Sequence, residues 1–203
     1  MKKFVIKASG PDESEFAPQI CREMEESAKA RGTGIARRSV DYIREKMSKG
    51  DAFVALDSET LQIAGFCYIE SWSHGRYIAN SGLIIFPEYR RFGLASRLKH
   101  FAFTESRRRF PSAKLFGLTT SIAVMSINSD LGYRPVTYEN LTDDEEFWAG
   151  CRSCVNYATL RAKDRKNCFC TAMLFDPEKK EKKMTLEDHP TIEVRREEEP
   201  SKC

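Results

Sequence analysis

Leu83-Ile-Ile-Phe-Pro-Glu-Tyr-Arg-Arg-Phe-Gly-Leu-Ala95 decides the reading of this chain. It opens as a buried apolar run and turns at Pro87. It then passes through Arg90-Arg91-Phe92-Gly93 into a helical pattern that puts Leu94, Leu98, Phe101 and Ala102 on one side. Strand, short turn and helix together aim backbone N–H groups at an anion. The first-turn N–H groups lack intrahelical acceptors, and the helix dipole favours negative charge there. Gly93 lets a ligand approach closely, Ala95 keeps the next contact open, and Arg90 and Arg91 add positive charge. The stretch reads as a cradle for a pyrophosphate. The competing reading is an ordinary strand-to-helix connection with a solvated basic turn.

Upstream, Lys3–Ala8 reads as a strand and Phe16–Lys29 as a helix with Phe16, Ile20 and Met24 on one face. A second helix is expected from about Ile35 to Met47, stopped at Lys49-Gly50. Strands at Ala52–Leu56, Ile63–Ile69 and Tyr77–Phe86, joined by short turns, predict an antiparallel meander. Gly65 marks a bulge or close backbone contact, and Asn80-Ser81-Gly82 interrupts an otherwise apolar strand in a way that fits a second bulge. The helix after Gly93 runs to about Arg109, with Lys99 and Arg107-Arg108-Arg109 on its solvent side. Lys114–Leu118 is the next strand, Ile122–Asp130 a short helix, and Tyr133–Thr137 a strand. Thr142 and Glu145 have capping-box spacing for another helix start, and Asn167–Phe175 alternates as a strand does.

The chain has 203 residues, a hydrophobic fraction of 41% and a formal net charge of +3. That length fits one domain, here residues 1–175 with a Cys-rich extension at 141–175, followed by a charged tail at 176–203 expected to be flexible. The modest charge gives no basis for a nucleic-acid partner, and no segment approaches transmembrane length. Met1-Lys2-Lys3-Phe4-Val5-Ile6 lacks the apolar core of a signal peptide, so the expected location is cytoplasmic.

Two marks carry a family resemblance. Arg90, Gly93 and Ala95 match the Arg/Gln-x-x-Gly-x-Gly/Ala loop that binds acetyl-CoA in GNAT N-acyltransferases, and Leu131-Gly132-Tyr133 resembles the family's Leu-Gly-Phe entering its sixth strand. The resemblance covers roughly residues 3–140. It implies an α/β (α+β) GNAT fold: a mixed, mostly antiparallel sheet flanked by helices, with the first helical pair over the acceptor site. It also implies acetyl-CoA or succinyl-CoA as cosubstrate. The pyrophosphate would sit on Arg90, Arg91, Phe92, Gly93, Leu94 and Ala95, and the pantetheine arm along Leu83, Ile84 and Ile85 where two parallel strands splay.

The implied reaction is direct attack of a primary amine on the thioester. The amine must first lose a proton, and Glu70 and His74 are the candidate bases. Backbone N–H donors near Leu83 are placed to stabilise the oxyanion. Where the family carries a tyrosine that protonates the departing thiolate, this chain has Asn128, which donates a hydrogen bond but supplies no proton. The family's asparagine near that helix start corresponds to Ser121. Arg37, Arg38 and Arg76 are candidates for holding an acceptor carboxylate. The whole pattern looks like a bacterial GNAT group proposed to N-acylate glutamate in arginine biosynthesis. Polyamines, antibiotic amines and protein N-termini are the rival acceptors, and a CoA-binding or sensing module with little catalysis is the rival function. A homodimer is compatible with all of these.

The seven cysteines have no export signal to favour disulfides. Cys151, Cys154, Cys168 and Cys170 form a cluster that fits a structural zinc fastening the extension to the sheet. Reduced, packed cysteines and a redox pair at Cys151/Cys154 are the alternatives.

Overall fold

The computed structural model describes residues 2–30, 32 and 37–179. The sheet has seven strands: β1 (Phe4–Ala8), β2 (Ala52–Asp57), β3 (Ile63–Trp72), β4 (Tyr77–Ile85), β5 (Lys114–Thr119), β6 (Arg134–Val136) and β7 (Thr171–Phe175), in the order β1-β2-β3-β4-β5-β7-β6. Only β4 and β5 run parallel; every other neighbouring pair is antiparallel. Four longer helices are α1 (Ala17–Ala30), α2 (Val40–Ser48), α3 (Leu94–Arg109) and α4 (Ile122–Asp130); α5 (Glu145–Ala149) and α6 (Tyr157–Ala162) are single turns or little more. This is the mixed, mostly antiparallel sheet flanked by helices that the resemblance implies.

The large core lies against β2–β4. Ala17, Ile20, Met24 and Ala28 recur on one stripe of α1, and Leu94, Leu98, Ala102 and Ser106 on one stripe of α3. Lys99 falls on that same stripe, three residues before Ala102 and seven before Ser106, and is only 2% exposed. Its expected place on the solvent side is therefore corrected: helical phase puts it inside, whatever its charge.

Several element limits differ from expectation. Ile35 lies outside the described residues, and α2 begins only at Val40 because Ser39 caps it, accepting a hydrogen bond from the Tyr42 N–H at 3.1 Å. Asp144, not Thr142, caps α5, its carboxylate accepting from the Glu146 N–H at 3.0 Å. Thr142 is buried instead and shares a 2.7 Å hydrogen bond with the Ser73 hydroxyl. β7 starts at Thr171, so Cys168 and Cys170 precede it in an irregular bend and are not paired on one strand face.

β7 inserts between β5 and β6, which makes the extension part of the sheet. Its fastening is aromatic. Phe116, Tyr138, Trp148, Leu160 and Leu174 form a second core, with Phe147 stacked edge-on to Phe116 at 5.0 Å and to Trp148 at 4.9 Å. Residues 180–203, most of the expected tail, lie outside the described residues. Among the described residues no helix is long and apolar enough to cross a membrane.

Candidate active site

β4 delivers the chain into a short 3-10 turn at Pro87–Tyr89, and Gly93 then caps α3 from the left-handed region, at φ 67°. Arg91 is also left-handed, at φ 70°, a conformation that Gly93 adopts freely but that a side-chain-bearing residue adopts only at a cost. The first N–H to find a partner in the helix is that of Arg97, which donates to the Gly93 carbonyl at 3.3 Å. The N–H groups before it are open to an anion. Beside them is a cavity of about 380 Å³ lined by Leu83, Ile84, Ile85, Arg90, Arg91, Gly93, Leu94 and Ala95. Eight of the nine residues expected to hold the pyrophosphate and the pantetheine arm thus line this cavity.

Phe92 is the exception. Its ring packs on Phe4 with centroids 5.9 Å apart and is no part of the cradle wall. Arg90 lines the cavity, yet its guanidinium is spent on protein: it donates to the Ile85 carbonyl at 3.0 Å, to Glu23 at 2.9 Å and to the Ser27 hydroxyl at 3.0 Å. It clamps α1 to the cradle, which leaves Arg91 as the available cation.

The second cavity, about 300 Å³, opens between β4 and β5. The two strands pair only at Tyr77–Lys114, Ile78–Leu115 and Ala79–Phe116 and part beyond that point. The expected bulge is there: Tyr68 pairs with Ser81, but Phe66 pairs with Ile84, so β4 carries one residue more than β3. Gly82 occupies the bulge at φ 66°, and a Cβ on it would meet the Tyr68 ring at 2.4 Å. Gly65 makes a similar close contact, with a register irregularity between β2 and β3 beside it.

Glu70, 5% exposed, lies on this cavity's wall. Its carboxylate accepts from the Ser81 hydroxyl at 2.8 Å and from the Tyr42 hydroxyl, and faces Arg38 Nη2 at 3.6 Å. Arg38 donates through Nε to the Tyr68 hydroxyl at 2.9 Å and also lines the cavity. Burial, followed by the Glu70 charge, pushes the Tyr42 and Tyr68 hydroxyls well above the usual phenol range, so both stay protonated. Sequence reasoning missed the two tyrosines. The period of two along β3 places Phe66, Tyr68 and Glu70 on one face, and that spacing was the available signal for Tyr68.

His74 and Arg76 are not brought here. Both sit in the β3–β4 turn, and Arg76 precedes Ser81 by five residues, about 16 Å along a strand. His74 is exposed, and the Arg76 Nε donates to the Ser73 carbonyl at 3.2 Å. Arg37 is exposed, its N–H bonded to the Ser153 hydroxyl at 3.0 Å, and does not line the cavity. The β3–β4 turn lies away from the cradle because the turn precedes β4 and the cradle follows it, at the two ends of the strand.

Ser121 caps α4, and Asn128 reaches inward from its far end; both line the cavity. Asn128 is 1% exposed, with Nδ2 3.7 Å from the Met173 sulfur and a buried Oδ1 that has no hydrogen-bond partner. An amide left half-satisfied at a cavity wall is suited to a polar ligand.

Cys151, Cys154 and Cys170 also line the cavity, while Cys168 packs toward the Asn156 carbonyl at 3.8 Å. All four are free thiols, and among the described residues no group of three or more His, Cys, Asp or Glu is placed to hold a metal ion. The zinc expectation is corrected accordingly. Burial pushes the Cys151 thiol up to about 11 and the Cys170 thiol up to about 12, with their neighbouring cysteines adding to the effect.

No family model and no curated protein sequence matches the chain. Solved structures do. N-acetylglutamate synthase from Neisseria gonorrhoeae, complexed with coenzyme A and N-acetyl-glutamate, superposes with a TM-score of 0.61 at 14% identity, over 87% of this chain and 36% of that one. This chain spans about a third of that enzyme's length. Rv2747 from Mycobacterium tuberculosis, in complex with CoA and NLQ, superposes with a TM-score of 0.61 at 15% identity, over 85% of this chain and 98% of that one. An acetyltransferase of the GNAT family from Staphylococcus aureus gives 0.57 at 12% identity, over 70% and 91%. At these identities the likeness is one of fold.

Proposed function

We propose that this chain, which has the fold of the GNAT acetyltransferases, is an acyl-CoA-dependent N-acyltransferase. The observation that carries the reading is the adjacency of two cavities, which share Leu83 in their linings. The anion cradle at Arg91–Ala95 leads along Leu83–Ile85 to the gap between β4 and β5, where Glu70 waits. The pyrophosphate of an acyl-CoA takes the open N–H groups of α3, with Arg91 beside it. The pantetheine arm runs along the unpaired edge of β4 and brings the thioester to Ser81–Leu83.

Glu70 takes the proton from the acceptor ammonium, and the neutral amine attacks the acyl carbon. Ser81 and Tyr42 hold the carboxylate in place by hydrogen bonds. The backbone around the Gly82 bulge polarises the acyl oxygen.

The acceptor in this scheme is an amino acid with a carboxylate to spare, glutamate being the leading case and arginine biosynthesis the corresponding setting. Arg38 is the support for this: it is a guanidinium on the cavity wall within 3.6 Å of the base, suited to a carboxylate and unsuited to a polyamine. The likeness to an N-acetylglutamate synthase structure agrees with this choice without deciding it. Asn128 favours a second reading, a CoA-binding module with little turnover, because the amide supplies no proton to the leaving thiolate.

A thiol-release assay with acetyl-CoA and succinyl-CoA against glutamate, other amino acids and polyamines tests both, with product mass spectrometry. N-acylglutamate supports the transferase reading and names the donor. CoA binding with no product from any acceptor supports the binding module.

A further inference from the structure

The gap between β4 and β5 contains a buried ammonium that the scheme above does not use. Lys99 belongs to α3, the helix whose first turn forms the cradle, and it lines the gap cavity at 2% exposure. Its position follows from the sheet. The Lys114 N–H of β5 donates to the Arg76 carbonyl at 2.9 Å. Carbonyls alternate sides along a strand, so those of Ile78 and Asn80 face β5 as well. Pairing ends at Ala79–Phe116, which makes the Asn80 carbonyl the first that β5 leaves unmet. Lys99 Nζ meets it, donating at 3.2 Å. The ammonium therefore sits at the apex of the split.

Among the described residues Lys99 has no carboxylate partner. The titratable groups around it are Cys67 of β3 and Tyr133, whose ring lies 5.6 Å from Nζ. The Asn80 side chain is held between the Tyr133 and Ser106 hydroxyls, at 3.1 and 2.8 Å, so the carbonyl is its contribution to Lys99. Burial pulls Lys99 down to about 8, with Cys67 opposing the shift. That is close to the ordinary thiol value of about 8.5, and a proton donor works best when matched to the group it serves.

We propose that Lys99 gives its proton to the sulfur of coenzyme A as the thioester breaks. The inference rests on the acyl-CoA reading above. Once the acceptor nitrogen is bonded to the acyl carbon, the C–S bond breaks and its electron pair moves to sulfur. A proton passes from Nζ to that sulfur, and Glu70, having released to water the proton it took from the acceptor ammonium, takes the surplus proton from the new amide nitrogen. Lys99, now a neutral amine in a buried site, recovers a proton from water when coenzyme A leaves. The transfer ends with neither a thiolate nor an unpaired ammonium in the gap. It supplies from α3 what Asn128 on α4 does not.

Coenzyme A itself is the first probe, since it needs no acceptor. The thiol of bound coenzyme A is titrated by thiolate absorbance, with the desulfo-coenzyme A complex as blank. In the native protein it titrates at least one pH unit below free coenzyme A, and in Lys99→Met it returns to the free value or above. The same titration in both proteins overturns the contact. Lys99→Arg then separates a proton donor from a fixed charge, because guanidinium keeps the charge but not a transferable proton. Acetyl-CoA turnover by Lys99→Arg falls tenfold or more, KM for acetyl-CoA stays within threefold, and the fall in kcat above about pH 8 disappears. Native rates in Lys99→Arg overturn the proton transfer. No binding of coenzyme A by the native protein overturns the acyltransferase reading instead.

Discussion

Ser81 donates its hydroxyl to Glu70 at 2.8 Å from the residue just before the Gly82 bulge. The two are diagonal neighbours on one face of the β3–β4 ladder, since Glu70 pairs with Ala79 and Tyr68 with Ser81. The bulge therefore does two jobs. It parts β4 from a regular register where a thioester would lie, and it fixes the hydroxyl that orients the carboxylate.

Glu70→Gln keeps the shape and the contacts but removes the base. Turnover is expected to fall by about 10²–10⁴, with KM for acyl-CoA within threefold of native. Steady-state kinetics across pH 6–9 check this, and native kcat in the variant would rule Glu70 out as the base.

Gly93→Val tests the cradle. A Cβ there meets nothing within 4 Å, so packing is unharmed, but the left-handed backbone at φ 67° is unfavourable for a branched residue. The conformational cost is about 1–2 kcal/mol, and relief by rotation turns the α3 N–H groups away. Calorimetric titration with coenzyme A should show at least a tenfold loss of affinity in a protein whose circular dichroism is native.

Arg38→Met removes the guanidinium from the acceptor side. A charge-assisted hydrogen bond contributes about 1.5–3 kcal/mol, so KM for glutamate should rise about 10–100-fold, while coenzyme A affinity is unchanged. An equal loss for a monoamine acceptor without a carboxylate would assign Arg38 to positioning Glu70 alone.

Cys151 and Cys170 should behave as buried protonated thiols. With thiol values raised to about 11 and about 12, their alkylation at pH 7.5 should be far slower than that of a free thiol and should rise about tenfold per pH unit up to pH 10. Peptide mass spectrometry after iodoacetamide pulses reads both sites. Chelator treatment should leave the melting temperature unchanged, and release of zinc on unfolding would reinstate a metal site.

Lys99 also leaves a thermodynamic mark. Its ordinary value is 10.5 and the folded value is about 8. Between those limits the unfolded chain binds the extra proton, so this residue makes stability rise with pH, and the contribution is flat below pH 8. The difference in unfolding free energy between native and Lys99→Met should climb by up to about 1.4 kcal/mol per pH unit from pH 8 to 10. Urea midpoints at four pH values give the slope. A difference that stays flat from pH 8 to 10 would mean that Lys99 stays charged when buried.

The local signals carried far. Apolar run, proline, two arginines, Gly93 and Ala95 specify strand, turn and helix start through φ/ψ limits and unpaired N–H groups, and all of that is written in neighbouring residues. The meander and the Gly82 bulge are legible for the same reason. Where neighbours were not enough, the reading slipped. Lys99 was placed outside by its charge, although its spacing to Ala102 and Ser106 put it inside. Glu70 and His74 are four residues apart in sequence, yet a strand end separates a buried carboxylate from an exposed imidazole.

What the sequence determined by itself is the set of elements and the cradle, since periodicity, capping and turn chemistry act over a few residues. Only the tertiary structure decided which side chains share the gap. Arg38 meets Glu70 across 32 residues of chain and Tyr68 across 30, Lys99 meets Asn80 across 19, and three thiols of the extension line the same gap, into whose sheet β7 inserts beside β5. Those meetings depend on where the ladder between β4 and β5 stops, and a ladder's end is set by two strands and the helices packed on them.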